Sequence, residues 1–319
     1  MKKIISIIIS LALIVLGMVS LSACNDSKKG TVGIIQFGSH ASLNNCYDGI
    51  MAGLAENGID VSEYNIEYLN SNFDPSVSQS QANTLVNKKA SVIIGIATPS
   101  AIAAANAADG GIPVVFCAVT DPTTMANYEN LTGSSDIPNF DKQLEVVTAV
   151  MGKEDIKIGV LYSTEESSSP AQVSSLKKAA EKHKGMTVID SAVSDITTID
   201  TRVNGLISED VDCFVNLLDN TIVGKLESNI LPLTNEAGIP VFGSEIEQVK
   251  SGCAASASIE YKDVGRAAGK AAAEILSGKA ASDIPVATVT EPENYYNSKV
   301  IAKLGLKIPE SPAMTDVAK

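Results

Sequence analysis

Small hydroxyl and carboxylate side chains recur directly after the apolar runs of this 319-residue chain. Ser39 and His40 follow the first run, Thr98 and Ser100 the third, and Thr120 and Asp121 the fourth. In the second half, Ser168 and Ser169 come after the run at 157–162. Asp219, Asn220 and Thr221 follow the run at 211–216, and Glu245 follows 238–243. In an open α/β sheet, ligands sit beyond the carboxyl ends of the strands, so such a topology would gather these loops. Hydroxyls beside the free N–H groups of a helix N-terminus suit a carboxylate, and Thr98, Ser100, Ser168 and Ser169 are placed for that. Asp121, Asp219 or Glu245 suits an ammonium. Together the loops suit a zwitterion such as an amino acid. For any single residue a helix cap is an equally good account; for the set as a whole it is not.

Other chemistries lack their residues. The only histidines are His40 and His183. His183 falls at a lysine-rich helix end, where a cation complements the helix dipole. His40, just after the first strand, is better read as a ligand contact than as a catalytic base. No G-x-S-x-G elbow and no G-x-G-x-x-G turn occurs. Gly265-Arg-Ala-Ala-Gly-Lys-Ala271 mimics a phosphate loop, but it is one residue short, lacks a following Ser or Thr, and lies in a helical pattern. Cys46, Cys117, Cys213 and Cys253 stand far apart without a C-x-x-C pair, which argues against a metal site. Cys117 and Cys213 lie in apolar runs and read as small core residues. The expectation is a protein that is not an enzyme, with no cofactor and no metal.

The elements that would position the loops are legible from periodicity. Residues 31–36, 91–96 and 111–116 are short, nearly continuous apolar runs, as in a parallel sheet covered on both faces. Leu43, Tyr47, Ile50, Met51 and Leu54 mark one helical face between them, and Asp74-Pro75 opens another helix. The cadence then restarts. Gly159 repeats the setting of Gly33 about 126 residues on, and Ile239 that of Ile112 about 127 on, the mark of a duplicated α/β half. The tail adds a strand-like stretch at 252–258, a helix at 261–276 with Gly265, Ala268 and Ala272 on a close-packing face, and a last strand near 284–290. The expected fold is α/β, with two doubly wound parallel-sheet lobes. Residues 31–133 plus about 246–290 form the first lobe, and about 134–245 plus 291–319 the second. Crossings are expected near 133–135, within 243–252 and near Glu291.

The first 24 residues carry an address. Lys2 and Lys3 precede an apolar stretch from Ile4 to Val19, and Leu21-Ser22-Ala23-Cys24 follows. This is the layout of a secretory signal. Leu-Ser-Ala-Cys resembles the bacterial lipobox, which implies a signal peptide over 1–23, lipidation of Cys24, a linker over 24–30, and an extracytoplasmic, membrane-tethered protein. The net charge of −13 argues against nucleic acid.

Several stretches together resemble a known family. They are Ala118-Val-Thr-Asp-Pro122, Leu131-Thr-Gly-Ser-Ser-Asp136, Ile158-Gly-Val-Leu-Tyr162 with Ala171-Gln172-Val173, Asp219-Asn220-Thr221, Ile239-Pro-Val-Phe-Gly-Ser-Glu245, and Tyr261 through Gly265-Arg266. They resemble the ABC-transporter substrate-binding proteins of the tryptophan/tyrosine-binding type, over nearly all of residues 31–310. The resemblance implies a type I periplasmic-binding-protein fold with three crossovers and a ligand clamped between lobes. It also implies a monomer that delivers to a cognate ABC permease. Members often carry His-Pro and an acidic residue after the first strand, where this chain has Ser39-His40-Ala41-Ser42-Leu43-Asn44. The expected function is capture of an amino acid, aromatic or large and apolar first, by lobe closure. A nucleoside, sugar or short-peptide ligand, or a sensor role, stays open.

Overall fold

The structure is a computed structural model that describes residues 28–288 and 292–318. The expected signal peptide, Cys24, most of the linker and Glu291 lie outside the described residues. The chain starts with β1 (Thr31–Gln36), α1 (Ala41–Glu56), β2 (Asn65–Asn70), α2 (Pro75–Asn87), β3 (Val92–Ile96), α3 (Thr98–Ala108), β4 (Val114–Cys117) and β5 (Leu131–Ser135). These strands pair in parallel in the order β2-β1-β3-β4-β5. Val32, Ile34, Ile35, Ile93 and Ile94 are fully buried. Helices cover both faces, which is why these strands read as unbroken apolar runs.

The second lobe repeats the plan. It contains α4 (Phe140–Met151), β6 (Lys157–Ser163), α5 (Ser169–Ala180), β7 (Thr187–Val193), α6 (Ile199–Ser208), β8 (Cys213–Val215), α7 (Asn220–Val223), α8 (Leu231–Glu236), β9 (Val241–Phe242), α9 (Ile246–Ser251) and β10 (Ala255–Ser258). Its parallel strands run β7-β6-β8-β9. Backbone bonds from Ala254 N–H to Val241 (2.7 Å) and from Gly243 N–H to Ala255 (3.0 Å) carry the sheet on to β10. The order 7-6-8-9-10 is that of 2-1-3-4-5, so each half of the sequence builds the same doubly wound sheet. The expected two-lobed α/β architecture is therefore the one found.

The chain then returns to the first lobe. The helix α10 (Tyr261–Leu276) packs on α1, and β11 (Ala287–Thr288) pairs in parallel with β5. It finally adds β12 (Glu293–Tyr296), α11 (Ser298–Lys303) and β13 (Thr315–Asp316) beside β10. The crossings thus fall at 136–139, at 259–260 and between β11 and β12. The second corrects the sequence expectation, which passed 246–258 to the first lobe. Val249 and Cys253 pack with Val211 and Phe214, and Ala254 and Ala255 with Ile158 and Phe242, all in the second lobe. Whether a strand continues one sheet or opens the next depends on a distant pairing partner, which local periodicity does not carry.

Two helices that frame the site meet through glycines. A Cβ on Gly265 would lie 2.2 Å from the Cys46 carbonyl oxygen, and one on Gly49 2.2 Å from that of Lys262. Gly53 and Gly269 make the same close approach one turn on. The phosphate-loop mimic is therefore the packing face of a helix, with Lys270 exposed on the other side. All four cysteines of the described residues are free and buried. Among the described residues no helix is long and apolar enough to cross a membrane.

Candidate ligand-binding site

The carboxyl ends of both sets of strands face each other and enclose a small polar cavity. The first lobe supplies His40 and Ser42 at the start of α1, Thr120 after β4, Asp136 after β5, and Tyr261 at the start of α10. The second supplies Asn220, Glu245 and Gln248. About 10 Å³ of space remains, room for about one water. Anything larger enters by parting the lobes.

Asp136 is fully buried. It accepts the Tyr261 hydroxyl at 2.6 Å, while its Oδ1 has no partner. Burial pushes its carboxyl above the usual range. His40 meets Asn220 Oδ1 at 3.1 Å through Nε2, and this pair bridges the lobes. Asn220 Nδ2 donates to Glu166 at 3.0 Å, so its oxygen is what faces His40. Nε2–H is therefore the donor, and Nδ1 is left as a buried acceptor without a partner. Burial holds this imidazole down to about 4, neutral at pH 7. Glu245 caps α9 through the N–H groups of Glu247 (2.6 Å) and Gln248 (2.9 Å), and lines the cavity with Ser42 of the other lobe. Burial pushes it up to about 7. Four carboxylates, Asp136, Glu166, Asp219 and Glu245, are buried among the described residues, and no Lys or Arg is.

A groove of about 220 Å³ shares His40, Ser42, Val223, Glu245 and Gln248 with this cavity, and a larger chamber of about 460 Å³, with none of its lining residues, also lies between the lobes. Phe73 from the first lobe faces Ser163, Val193, Ile196, Thr221 and Lys225 from the second across it. The Phe73 ring lies parallel to His40 at 6.3 Å and edge-on to Phe37 at 5.8 Å. Asn72 (φ 51°), Phe73 (φ 64°), Ala97 (φ 74°) and Ala118 (φ 56°) are left-handed, all just past first-lobe strands. Such strain persists where surrounding structure imposes it, and it clusters at ligand clamps.

Residues 31–315 match the family described as ABC transporter substrate binding protein. The chain belongs to that family, whose members bind a substrate and do not transform it. The "Tyrosine-binding protein" of Clostridioides difficile (strain R20291) is 34% identical, over 96% of this chain and 93% of its own. A Streptococcus structure described as an ABC domain in complex with L-Trp is 33% identical, with a TM-score of 0.83, covering 88% of this chain and 96% of its own. The ligand-free, open structure of a Clostridium difficile substrate-binding protein with adhesive properties is 30% identical over 90% and 99%, with a TM-score of 0.67. At similar identity, this chain superposes more fully on the complex than on the open form. The interlobe bonds His40–Asn220 and Asn45–Glu247 (3.0 Å) are those of a closed cleft.

Of the residues singled out from sequence, His40, Thr120, Asn220 and Glu245 line the binding protein's inner cavity. Thr221 lines the chamber, although its N–H and hydroxyl both go to Glu166. Exposed Ser39 accepts from Asn70 on the rim of a neighbouring groove. The others have internal roles. Asp121 caps the turn at Thr123. Ser100 joins Ser78 and Ser71 in a buried hydroxyl chain. Asp219 accepts Ser163 N–H, the Ser169 hydroxyl and Ile222 N–H, so both its oxygens are taken. Thr98 and Ser168 are buried at helix starts and line neither space. Sequence reasoning missed Asp136, Tyr261 and Phe73. Asp136 follows a strand as the others do, and the rule that selected them would have found it had 133–135 been read as a strand and not as a lobe crossing. Phe73 carries no sequence signal.

Glu245 also sets a pH dependence. Its folded value near 7 exceeds the ordinary 4.5, so between those pH values the native state holds more protons than the unfolded one. Stability from this group is therefore full below about pH 4.5 and falls as pH rises through 7. Glu245→Gln is expected to remove a slope worth about 3 kcal/mol between pH 5 and 8. Urea denaturation at both pH values measures it, and parallel behaviour of wild type and variant would refute the assignment.

Proposed function

We propose that this protein is the lipid-anchored, extracytoplasmic binding subunit of an ABC importer, and that its ligand is an amino acid with an aromatic or large apolar side chain. One observation carries the ligand reading. The fully buried unpartnered atoms of the inner cavity are acceptors, Asp136 Oδ1 and His40 Nδ1, and the His40 ring lies parallel to Phe73, which walls a chamber of mixed polarity. An ammonium group would donate to Asp136, to His40 Nδ1 and to Glu245, and the side chain would extend past Phe73 into the chamber. The names of the tyrosine-binding relative and the L-Trp complex support the same class. Binding proceeds as a population shift. The open form admits the ligand, and contacts made to both lobes favour the closed form. The lipid on Cys24 keeps a monomeric catcher near its cognate permease.

Isothermal titration with the twenty amino acids, nucleosides, sugars and dipeptides tests the ligand. Binding confined to Tyr, Trp, Phe or large aliphatic residues is expected, and a response to no amino acid refutes the reading. Phe73→Ala is expected to weaken aromatic ligands about tenfold, with little change for aliphatic ones. Cys24→Ser is expected to move the protein from the membrane fraction into the soluble one; unchanged membrane retention would refute the anchor.

A further inference from the structure

Glu166 is buried in the second lobe between β6 and α5, and it lines neither the inner cavity nor the chamber. Both its carboxylate oxygens are nevertheless engaged by two adjacent residues of α7. Oε1 accepts the Thr221 N–H at 2.8 Å and the Thr221 hydroxyl at 3.2 Å, and Oε2 accepts Asn220 Nδ2 at 3.0 Å. The bonds to Thr221 are an internal brace of the second lobe. The bond to Asn220 does more, because Asn220 is the residue that meets His40 across the cleft at 3.1 Å.

An asparagine amide has a donor end and an acceptor end, and half a turn exchanges them. Carboxylate oxygens accept, so Glu166 draws the donor end of Asn220 to itself and leaves Oδ1 for His40. Burial and the neighbouring Asp219 charge push the Glu166 carboxyl up, and a protonated carboxyl still keeps accepting lone pairs. Asn220 Oδ1 can only accept, so the His40 proton sits on Nε2. The other ring nitrogen, Nδ1, is then a buried acceptor with no partner. Three side chains, each fixing the next, thus connect a residue outside the cavity to an unpartnered atom of a residue that lines it.

We infer that Glu166 is a positioning residue for ligand capture. Through Asn220 it holds the His40 proton on Nε2 and keeps Nδ1 an acceptor, the form that can take a ligand N–H. The ligand contact rests on the ammonium reading above; the place of the proton does not.

Glu166→Gln tests this. The amide keeps the size of the side chain but has one accepting oxygen in place of two. The Thr221 N–H belongs to the backbone and cannot turn away, so it claims that oxygen. The new N–H groups then face Asn220, whose amide is expected to turn and offer Nδ2 to His40, moving the His40 proton to Nδ1. Nitrogen-15 NMR of the histidine-labelled, detergent-solubilised full-length protein at pH 7 reads the change, with only His40 and His183 to observe. Long-range proton–nitrogen correlations are expected to show Nε2–H for His40 in wild type and Nδ1–H in the variant. The variant is also expected to bind L-tyrosine or L-tryptophan about tenfold or more weakly in isothermal titration, because a donor replaces an acceptor. A folded variant that keeps Nε2–H overturns the inference, as does a shifted proton with affinity within about threefold of wild type. If neither protein binds an amino acid, the amino-acid reading falls, and the NMR still decides where Glu166 puts the proton. Neutron diffraction from the wild-type protein requires no variant to fold. Deuterons on His40 Nε2, and on Asn220 Nδ2 toward Glu166, are expected there. A deuteron on His40 Nδ1, or Asn220 turned with Oδ1 to Glu166, overturns the inference.

Discussion

Asp136→Asn is expected to weaken binding of an amine-bearing aromatic ligand by about a hundredfold, roughly 3 kcal/mol. The carboxylate is fully buried, held by Tyr261, and keeps one oxygen without a partner. An arriving ammonium would satisfy that oxygen and neutralise a charge whose desolvation the folded protein otherwise bears. The amide keeps an acceptor for Tyr261 but offers an N–H where the ligand also brings donors. Without ligand, the same change removes a buried charge, so the variant is expected to melt at or above the wild-type temperature. Loss of affinity together with retained stability separates a ligand contact from a structural prop. Titration calorimetry and thermal melts measure the two quantities. An affinity within threefold of wild type would remove Asp136 from the site.

Gly265→Ala is expected to destabilise the protein by about 2–3 kcal/mol, against the direction set by helix propensity. In an open helix interior, alanine in place of glycine gains about 1 kcal/mol. At Gly265 the new Cβ would lie 2.2 Å from the Cys46 carbonyl oxygen and 2.9 Å from Cys46 Cα, both backbone atoms that cannot turn aside. The helices α1 and α10 would have to separate. Because His40 and Ser42 head one and Tyr261 heads the other, their separation would also disturb the cavity. Gly205 is the control. It lies in α6, and a Cβ there meets nothing within 4 Å, so Gly205→Ala is expected to raise stability by up to about 1 kcal/mol. Urea midpoints compare the two. A neutral Gly265→Ala would mean that the helix contact yields.

The sheet was legible because a parallel strand covered on both faces has to be apolar throughout. Residues 31–36 and 91–96 show that directly. The duplication was legible because equal halves repeat equal patterns, and the strand orders 2-1-3-4-5 and 7-6-8-9-10 agree. The roles of individual polar residues were not. Asp121 and Asp219 have the same local setting as Glu245, at a strand end before a helical turn. Asp121 closes a turn, Asp219 is consumed by three donors within its lobe, and Glu245 caps its helix and also lines the interlobe cavity. A side chain's remaining hydrogen-bonding capacity depends on neighbours distant in sequence, and no local pattern records it.

The sequence by itself determined the family, the two α/β lobes, and the fact that polar loops would converge between them. Hydrophobic periodicity and strand order are set by local residue choice. The tertiary structure decided that the second crossing waits until 259–260, that Asp136 and Phe73 face the cleft, and that Thr98, Ser100 and Asp219 do not line it. It also decided that Glu245 meets the head of α1. These are outcomes of long-range pairing, of which buried donors find which acceptors once the two lobes close. That competition is settled by geometry across the cleft, not by the identity of any one residue.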